Sequence, residues 1–330
     1  MKPYLNQLID KQNLTTQQAQ EALLKIGQGE ANNSQIAAFL MGIQQKGITV
    51  DELEGFREAM LSLAVQIDLT DFDAMDIVGT GGDGKDTFNI STTSAFVLAG
   101  AGQNVAKHGN HGVSSSVGSS TVLEYLGVKF SNEESYLKQK LETAGICYMH
   151  APLFHPAMKY VAPIRKELGM KTFFNILGPL LNPAKVQKQF SGVYNLPVFD
   201  LYAQLFGRTS AKFAIIYDLA GYDEISLTND FQISSYINKD KSIISPKSLG
   251  FDLQQQSDIY GGGTIEESAT ILINVLKNEA TEAQTNVVLA NAGFALSIAK
   301  DISIEEGIDQ AKESLLSGKA YLCLKKLTES

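Results

Sequence analysis

Residues 79–92 are rich in groups that bind phosphate through the backbone. Four glycines fall within residues 79–84, and Asn89, Ser91 and Thr92 follow them. A glycine-rich turn between a strand and a helix presents its N–H groups to an anion. The glycines alone would make a tight turn, but the hydroxyl and amide side chains add donors that such a turn does not need. The segment therefore predicts a phosphate site.

Two familiar phosphate-binding patterns fit this segment incompletely. The glycine spacing satisfies the dinucleotide fingerprint, but the next predicted strand ends in Lys107, where that fingerprint has an acid for the ribose. The nucleotide-triphosphate loop fits from Gly79 to Lys85, after which Asp86 replaces the Ser or Thr that would bind magnesium. Asp83 and Asp86 would also repel phosphate. Together the two acids indicate a ligand that carries hydroxyl groups and magnesium as well as phosphate.

A second polar turn covers residues 107–119. It contains Lys107 together with several glycines and serines, and it separates a predicted strand from a predicted helix. Taken alone, this composition is also typical of a solvated serine-rich loop. Beside the first turn, it predicts a ligand with two separate phosphate groups.

An acidic pair, Asp223 and Glu224, follows an apolar strand at residues 214–217. Adjacent acids usually form a solvated turn. At a strand end they can also hold Mg²⁺, which binds a few protein oxygens together with substrate phosphates. Because two phosphate turns accompany the pair, we favour the metal site.

A further candidate segment begins at His155. We predict a helix from this residue, with Met158, Lys159 and Ala162 on one face and Arg165 about three turns from His155. The planar fork of an arginine pairs well with a carboxylate. A surface arginine is the alternative interpretation of Arg165.

The first part of the chain is predicted to be helical. Residues with helix-starting chemistry occur at Thr15, Ser34 and Thr49, each followed by apolar residues at helical spacing. No phosphate or metal pattern occurs there, so we interpret this region as packing or subunit contact. We predict a helical domain over residues 1–70, joined by a helical segment near 160–185, and an α/β domain over residues 71–330.

From Asp76 onward, short apolar strands alternate with helices. This alternation predicts a mainly parallel sheet covered on both faces, with ligands at the carboxyl ends of its strands. The polar turns at 79–92, 107–119 and 150–155, and the one after residue 217, would then meet at one cleft. The predicted strands are 75–78, 104–107, 146–149 and 214–217, and the predicted helices are 91–99, 119–126, 134–143, 269–276 and 286–299.

Length and composition limit the function classes. A chain of 330 residues favours two domains, and 44% hydrophobic with 19% charged residues is typical of a globular protein. The net charge of −9 disfavours a general nucleic-acid or anionic-membrane surface. No stretch approaches the roughly 20 apolar residues that span a bilayer, and no signal peptide is visible. We expect a cytoplasmic protein with small-molecule partners, no nucleic acid and no membrane.

Six segments, in this order, resemble the anthranilate phosphoribosyltransferase family over nearly the whole chain. Each segment is weakly specific alone, and the ordered set is highly specific. They are Gly79–Asp83, Asn89–Thr92, Lys107–Asn110, His155–Met158, Phe174–Pro183 and Asp223–Ser226.

The resemblance implies transfer of the phosphoribosyl group of 5-phosphoribosyl 1-pyrophosphate to anthranilate, in tryptophan biosynthesis, with Mg²⁺ as cofactor. It implies a small helical domain that forms a homodimer and a larger α/β domain of the nucleoside phosphorylase and phosphoribosyltransferase class. No certain catalytic residue is implied, only positioning by Asn110, His108 and Arg165. The implied donor-binding residues are Gly79, Gly82, Asp83, Thr87, Asn89, Ile90, Ser91, Thr92, Lys107, His108, Gly109, Asn110, His111, Gly112, Val113, Ser114, Ser115 and Ser119; the metal residues are Ser91, Asp223 and Glu224; the anthranilate residues are Gly79, Asn110, His155, Arg165 and Gly178.

This chain departs from the family pattern at two positions of the second turn. His111 stands where many members have Arg, and Ser116 stands where many have Lys. The second turn is therefore less cationic than is usual. Two alternative functions are a pyrimidine nucleoside phosphorylase, which has the same architecture, and a non-catalytic homologue that binds nucleic acid. The negative net charge and the intact Asp223–Glu224 pair oppose the latter.

Overall fold

The structure, a computed structural model, describes residues 1–112 and 117–329. It divides into two compact units. Unit 1 consists of Met1–Gln66 and Ala151–Pro183, and unit 2 of Ile67–His150 and Ala184–Ser330.

The segment 151–183 differs from the sequence-based domain boundaries. The sequence analysis assigns a helical segment near 160–185 to the helical domain and the rest of 71–330 to the α/β domain. In the structure, the whole segment from Ala151 to Pro183 packs within unit 1. Phe173 provides one physical reason, because its ring stacks on Phe56 at 4.3 Å between centroids and contacts Phe39 edge-on.

Four helices form the first part of unit 1, and three of them begin with a reciprocal cap. Thr15, Asn32 and Thr49 each accept a hydrogen bond from the backbone three residues later, whose side chain binds the cap residue in return. The predictions at Thr15 and Thr49 are confirmed, and the helix predicted from Ser34 begins one residue earlier. The helices are α1 (Lys2–Ile9), α2 (Thr16–Gly27), α3 (Asn33–Lys46) and α4 (Val50–Leu63).

Unit 2 contains a seven-stranded sheet with the strand order β3-β2-β1-β4-β5-β6-β7. The first five strands in this order pair in parallel, and the last two are antiparallel. The predicted mainly parallel sheet is confirmed. The strands are β1 (Met75–Gly79), β2 (Val105–Gly109), β3 (Ile146–His150), β4 (Lys188–Gly192), β5 (Lys212–Asp218), β6 (Phe231–Ser235) and β7 (Ser242–Ile244).

The remaining α-helices include those that cover the sheet and those of the segment 151–183. In chain order they are α5 (Ile90–Gly100), α6 (Ser119–Tyr125), α7 (Glu134–Ala144), α8 (Ala151–Phe154), α9 (Ala162–Leu168), α10 (Phe174–Leu177), α11 (Leu196–Gly207), α12 (Ile265–Leu276), α13 (Glu282–Lys300), α14 (Ile304–Leu316) and α15 (Lys319–Thr328).

Two helices form the centre of unit 2. In α5, every residue from Thr92 to Ala99 is buried, and in α13 every residue from Val287 to Ala299 is buried. Helix α5 lies between β1 and the helices α13, α14 and α15, while α13 also packs on β4 and β5. A helix that is apolar on all sides must be buried in this way. The turn before α5 is thus attached to the most enclosed part of the unit.

The sequence predictions miss β4, which has the sequence Lys-Gln-Phe-Ser-Gly and is buried at every position. Its polar side chains have partners: Lys188 pairs with Asp73, and the Gln189 amide donates to the Ser191 hydroxyl at 2.8 Å. Strand β4 was not predicted because its polar sequence shows neither an apolar run nor an alternation with a period of two. Apart from the helix predicted from His155, the predicted strands and helices are present, with ends shifted by a few residues.

The single helix predicted from His155 to Arg165 is wrong. A 3₁₀ helix covers Pro156–Tyr160, and α9 begins afterwards at Ala162. Pro163 has no N–H group, and its ring would clash with the carbonyl four residues before it in a continuous α-helix. The face proposed for His155, Met158, Lys159 and Ala162 therefore does not exist as one helical stripe.

Among the described residues, no single helix is long and apolar enough to cross a membrane. Helices α13 and α14 reach the required length and apolarity only as a pair bent by 117°.

Candidate active site

The site is centred on the carboxyl ends of β1 and β4. The strand order reverses between these two strands, since β2 and β3 lie on one side and β5 on the other. Gly79, the last residue of β1, is paired with Gly192, the last residue of β4. In α/β sheets, the crevice at such a reversal is the usual ligand site.

Both glycines are required because Asp223 lies directly over them. A Cβ atom on Gly79 would come within 2.2 Å of the Asp223 Oδ2 atom, and one on Gly192 within 1.6 Å of the Asp223 carbonyl oxygen. Either substitution would displace the acidic segment. Gly79 was predicted from the sequence but Gly192 was not, because a glycine at the end of an unrecognised polar strand gives no pattern signal.

The glycine-rich turn binds the acidic pair through its own backbone. The Gly81 N–H donates to Asp223 Oδ2 at 2.6 Å, and the Ser91 N–H donates to Glu224 Oε1 at 2.9 Å. The Thr87 hydroxyl donates to Glu224 Oε2 at 3.3 Å. The structure therefore brings the first predicted turn and the predicted metal residues Ser91, Asp223 and Glu224 together.

Two buried polar side chains bind the residues that directly follow the acidic pair. Asn291 of α13 accepts from the Ile225 N–H at 3.1 Å and donates to the Ile225 carbonyl at 2.8 Å. Asp218 accepts from both the backbone and the hydroxyl of Ser226. Burial raises the pKa of Asp218 to about 6, while these hydrogen bonds lower it. Sequence patterns do not reveal these contacts, because Asn291 lies 66 residues from Ile225 and Asp218 lies 8 residues from Ser226.

The acidic pair is costly to ionise in this environment. Burial, followed by the nearby charge of Asp83, raises the pKa of Asp223 to about 7. Burial, followed by the charge of Asp223, raises the pKa of Glu224 well above its usual value. Desolvation and like-charge repulsion both disfavour the carboxylate form. A cation at this place would favour it.

The oxygen atoms fit a magnesium ion that is completed by substrate oxygens. The buried Asp83 Oδ2 atom has no hydrogen-bond partner among the described residues. Within residues 1–112 and 117–329, no three His, Cys, Asp or Glu side chains are arranged to hold a metal by themselves. Mg²⁺ usually keeps several waters and binds one or two carboxylates plus substrate phosphates, so the sparse donor set suits it.

Lys107 lies beneath the site and is almost fully buried. Its ammonium group donates to the Ile77 carbonyl of β1. Burial lowers the pKa of Lys107, while the charges of Asp76, Glu224 and Asp223 raise it. Lys107 therefore acts as a buried positive charge that balances Asp76, Asp223 and Glu224. This role was not predicted from the sequence.

The second predicted turn folds back on the start of α6. The Asn110 carbonyl accepts from the Ser120 N–H at 3.1 Å and from the Ser119 hydroxyl at 3.3 Å. The Asn89 amide of the first turn donates to the Val117 carbonyl at 3.1 Å, which joins the two turns. The predicted convergence of these turns is thus present in unit 2. The candidate donor residues Val113, Ser114 and Ser115, and the departure at Ser116, lie outside the described residues.

An aromatic and hydroxyl cluster supports this second turn. Ser120 binds both the Tyr148 hydroxyl at 2.7 Å and His150 Nδ1 at 2.8 Å. The His111 ring lies 4.9 Å from the His150 ring and binds the Thr121 hydroxyl at 3.1 Å. Gly109 leaves the space that Tyr148 fills, since a Cβ atom there would come within 2.3 Å of the Tyr148 hydroxyl oxygen.

The anthranilate residues implied by the resemblance are divided between the units. Gly79 and Asn110 belong to unit 2, and His155, Arg165 and Gly178 to unit 1. The remaining predicted donor residues, including His108 and Gly112, lie in unit 2.

Arg165 of α9 is partly buried and is held by two neighbours. Its Nη2 atom donates to Asn175 Oδ1 at 3.2 Å, and its guanidinium lies 5.3 Å from the centre of the Phe174 ring. No ion pair neutralises it among the described residues. Burial lowers its pKa, which is consistent with a charge that lacks a protein counter-ion. A positioned guanidinium of this kind suits an anionic ligand.

His155 is buried, and its ring Nε2–H donates to the Leu181 carbonyl at 3.0 Å. Burial lowers the pKa of His155 to about 4, although the hydrogen bond to Leu181 raises it. The ring is therefore neutral at pH 7 and connects the two ends of the segment 151–183. At Gly178, a Cβ atom would meet nothing within 4 Å, so the glycine borders open space.

Two family models together match most of the chain. The helical bundle domain of a glycosyl transferase family matches residues 2–64, and the α/β domain of that family matches residues 71–321.

Relatives and solved structures are similar over the full length. Anthranilate phosphoribosyltransferase of Cytophaga hutchinsonii is 53% identical over 99% of each chain. That of Flavobacterium johnsoniae is 52% identical over 100% of this chain and 99% of the relative. The structure of anthranilate phosphoribosyltransferase from Thermus thermophilus superposes with a TM-score of 0.92 at 33% identity and covers 98% of both chains. The Saccharomyces cerevisiae enzyme in complex with PRPP and Mg gives 0.90 at 27% identity and covers 98% of this chain and 96% of that one.

The buried neutral His155 makes stability depend on pH. Because its pKa in the folded chain is about 4, the unfolded chain binds an additional proton between pH 6.5 and 4. We expect this contribution, up to about 3 kcal/mol, to be complete above pH 6.5 and to be lost as the pH falls towards 4. The raised pKa of Asp218 makes stability change with pH in the opposite direction. Because this contribution is common to both proteins, the effect of His155 is measured as the difference between the wild type and His155→Gln.

Urea unfolding of both proteins at a series of pH values measures this difference. His155→Gln removes the titratable ring, so its stability relative to the wild type should rise as the pH falls from 6.5 to 4. A pH-independent difference for His155→Gln would contradict the assignment of a neutral buried ring.

Proposed function

Because this chain belongs to the anthranilate phosphoribosyltransferase family, we infer that it transfers the phosphoribosyl group of 5-phosphoribosyl 1-pyrophosphate to the amine of anthranilate. This is a step of tryptophan biosynthesis. One observation of the structure carries the inference furthest: backbone amides of the glycine-rich turn hold the acidic pair at the strand reversal. The full-length relatives support this activity, and neither the nucleoside phosphorylase nor the nucleic-acid-binding alternative gains support from them.

We propose that the phosphoribosyl donor binds along the two turns of unit 2. The two turns, joined by the Asn89 amide, offer backbone N–H groups and hydroxyls, which are suitable donors for two phosphate groups. Lys107 is buried and contributes by balancing the negative charges of the nearby acids. The proposed residues are Gly79, Gly82, Asp83, Thr87, Asn89, Ile90, Ser91, Thr92, Lys107, His108, Gly109, Asn110, His111, Gly112 and Ser119, together with the undescribed Val113, Ser114 and Ser115.

We propose that Ser91, Asp223 and Glu224 hold Mg²⁺. The yeast relative was solved with PRPP and Mg, which supports this assignment. When bound, the ion would neutralise charge on the pyrophosphate that leaves. The residues of the chain fix the place: Gly81 and Ser91 orient the two carboxylates through their N–H groups.

For the acceptor, Arg165 has the features of a carboxylate-binding residue. Its guanidinium is fixed by Asn175 and Phe174 and has no acidic partner among the described residues. We propose that it binds the anthranilate carboxylate. His155 contributes through its bond to Leu181, and the open space at Gly178 leaves room for an aromatic ring. Gly79 and Asn110 complete the proposed set.

The chemistry requires little from a protein base. The bond between the anomeric carbon and the pyrophosphate oxygen breaks, and the anthranilate nitrogen bonds to that carbon and then loses a proton. Because an aromatic amine is a weak nucleophile, the sugar should acquire oxocarbenium character before the new bond is complete. Turn N–H groups that contact the leaving phosphates would stabilise the developing charge. Fixed placement of the amine supplies much of the remaining acceleration.

Two further properties are proposed on the resemblance. The helical unit forms a homodimer, and the enzyme acts in the cytoplasm on small molecules, without nucleic-acid or membrane partners. The exposed Ile9 at the end of α1 is one apolar side chain that a partner subunit would cover.

The function is tested by omission. Purified protein is mixed with anthranilate, 5-phosphoribosyl 1-pyrophosphate and Mg²⁺, and the loss of anthranilate fluorescence is followed. We expect turnover only when all three are present. Turnover with thymidine or uridine and free phosphate in their place would indicate a nucleoside phosphorylase, and no turnover with either set would refute the proposed function.

The acidic pair is tested by the double variant Asp223→Asn and Glu224→Gln. These amides preserve shape and can still accept the turn hydrogen bonds, so the fold should be retained. We expect Mg²⁺-dependent turnover to fall by about 100-fold or more, because the metal loses its charged ligands. The exposed pair Glu305→Gln and Glu306→Gln in α14 is the matched control. Wild-type turnover in the Asp223 and Glu224 variant would remove the metal assignment.

The acceptor site is tested with Arg165→Ala. Loss of a charge-assisted pair costs about 1.5–3 kcal/mol, so KM for anthranilate should rise roughly 10- to 100-fold. KM for the phosphoribosyl donor should change little. Lys166→Ala, at the neighbouring exposed cation of α9, should alter neither constant. If Arg165→Ala raises both KM values equally, Arg165 does not bind the acceptor.

A further inference from the structure

A short segment at residues 259–261 pairs with the glycine-rich turn. Thr87 and Tyr260 form an antiparallel bridge. On one side of it, the Phe88 N–H donates to the Ile259 carbonyl at 3.2 Å, and on the other side the Gly261 N–H donates to the Asp86 carbonyl at 2.9 Å. None of the six family-like segments includes this stretch.

Core packing and one helix anchor the segment. The Ile259 side chain is fully buried in the hydrophobic core of unit 2. The Ser268 hydroxyl of α12 donates to the Gly261 carbonyl at 2.6 Å. By contrast, the Tyr260 side chain is 50% exposed, so the bridge depends on its backbone rather than on burial of its ring.

The bridge fixes the part of the turn that contacts the acidic pair. Thr87, at the centre of the bridge, donates its hydroxyl to Glu224 Oε2. Asp86, directly before it, has a φ of 50°, a left-handed conformation that costs a non-glycine residue roughly 1 kcal/mol. The hydrogen bond from Gly261 to the Asp86 carbonyl helps to hold this otherwise disfavoured conformation.

Gly261 permits the two backbones to approach closely. A Cβ atom on this residue would lie 2.7 Å from the Thr87 carbonyl oxygen and 2.9 Å from the Phe88 Cα atom. These are backbone atoms and cannot rotate away. Two residues later, a Cβ atom on Gly263 would come no closer than 3.7 Å to any neighbour. The two glycines therefore differ sharply in what an added methyl group would disturb.

We propose that residues 259–261 are a positioning element for the phosphoribosyl donor. Their pairing places Thr87, and through its hydroxyl the Glu224 carboxylate, in the geometry that the donor and its metal require. This role rests on the proposed function of the site. It adds Gly261 and Ser268, which act through Thr87, to the residues that determine donor binding.

The test compares Gly261→Ala with Gly263→Ala. Displacement of Thr87 should raise KM for the phosphoribosyl donor about 10- to 100-fold, and KM for anthranilate should stay within about twofold of the wild type. Gly263→Ala should match the wild type in both. Hydrogen exchange of the ligand-free proteins, followed by mass spectrometry, should show faster exchange of the amides of residues 81–91 in Gly261→Ala only.

A milder pair of variants keeps the test informative if Gly261→Ala does not fold. Ser268→Ala removes only the hydroxyl that holds the Gly261 carbonyl. Ser297→Ala is its control, because it removes an equally buried hydroxyl that donates to a backbone carbonyl within α13. We expect the same selective rise in donor KM for Ser268→Ala, of smaller size, and no selective change for Ser297→Ala.

Two outcomes would overturn the proposal. In the first, the Gly261 or Ser268 variants lose thermal stability while both KM values and the exchange of residues 81–91 remain those of the wild type. In the second, donor and acceptor KM rise together. Failure of the proposed function is distinct from both, because the wild-type protein would then show no donor-dependent turnover.

Discussion

The structure depends on holding two adjacent carboxylates at the strand reversal of the sheet. Asp223 and Glu224 lie where burial and mutual repulsion disfavour their charges, and they are held by N–H groups of Gly81 and Ser91. Two backbone amides of the turn that resembles a phosphate loop therefore bind carboxylates of the protein itself. Asp83 and Asp86 in this turn are consistent with the proposed ligand, which would bind together with a cation.

Several elements outside the acidic pair and the glycine-rich turn determine this geometry. Gly192 leaves space for the Asp223 backbone, Asn291 holds Ile225 on both its backbone groups, and Lys107 supplies a buried positive charge. The segment 259–261 pairs with the glycine-rich turn through backbone hydrogen bonds. Because interior packing tolerates little displacement, each of these contacts transmits its position to the carboxylates.

In the helical unit, too, neighbouring residues fix the positions of the candidate site residues. Arg165 is aimed by Asn175 and Phe174, and His155 is bound to Leu181 as a neutral ring. His155 directly precedes the 3₁₀ helix Pro156–Tyr160, whereas Arg165 lies in α9. Their relative placement is therefore set by packing in the segment 151–183 and not by one helical repeat.

The sequence by itself determined the family, the parallel sheet, the capped helices and the two polar turns, because these depend on local spacing and on chemistry adjacent in the chain. Thr15 and Thr49 began helices as predicted, and the apolar runs near 76, 105, 147 and 215 formed strands. Only the tertiary structure decided that the polar β4 lies in the centre of the sheet, that Lys107 is buried, and that Gly192, Asn291 and Gly261 support the site. The physical reason is that these roles arise from close approach and from backbone hydrogen bonds between residues far apart in the chain, which leave no periodic trace in the sequence.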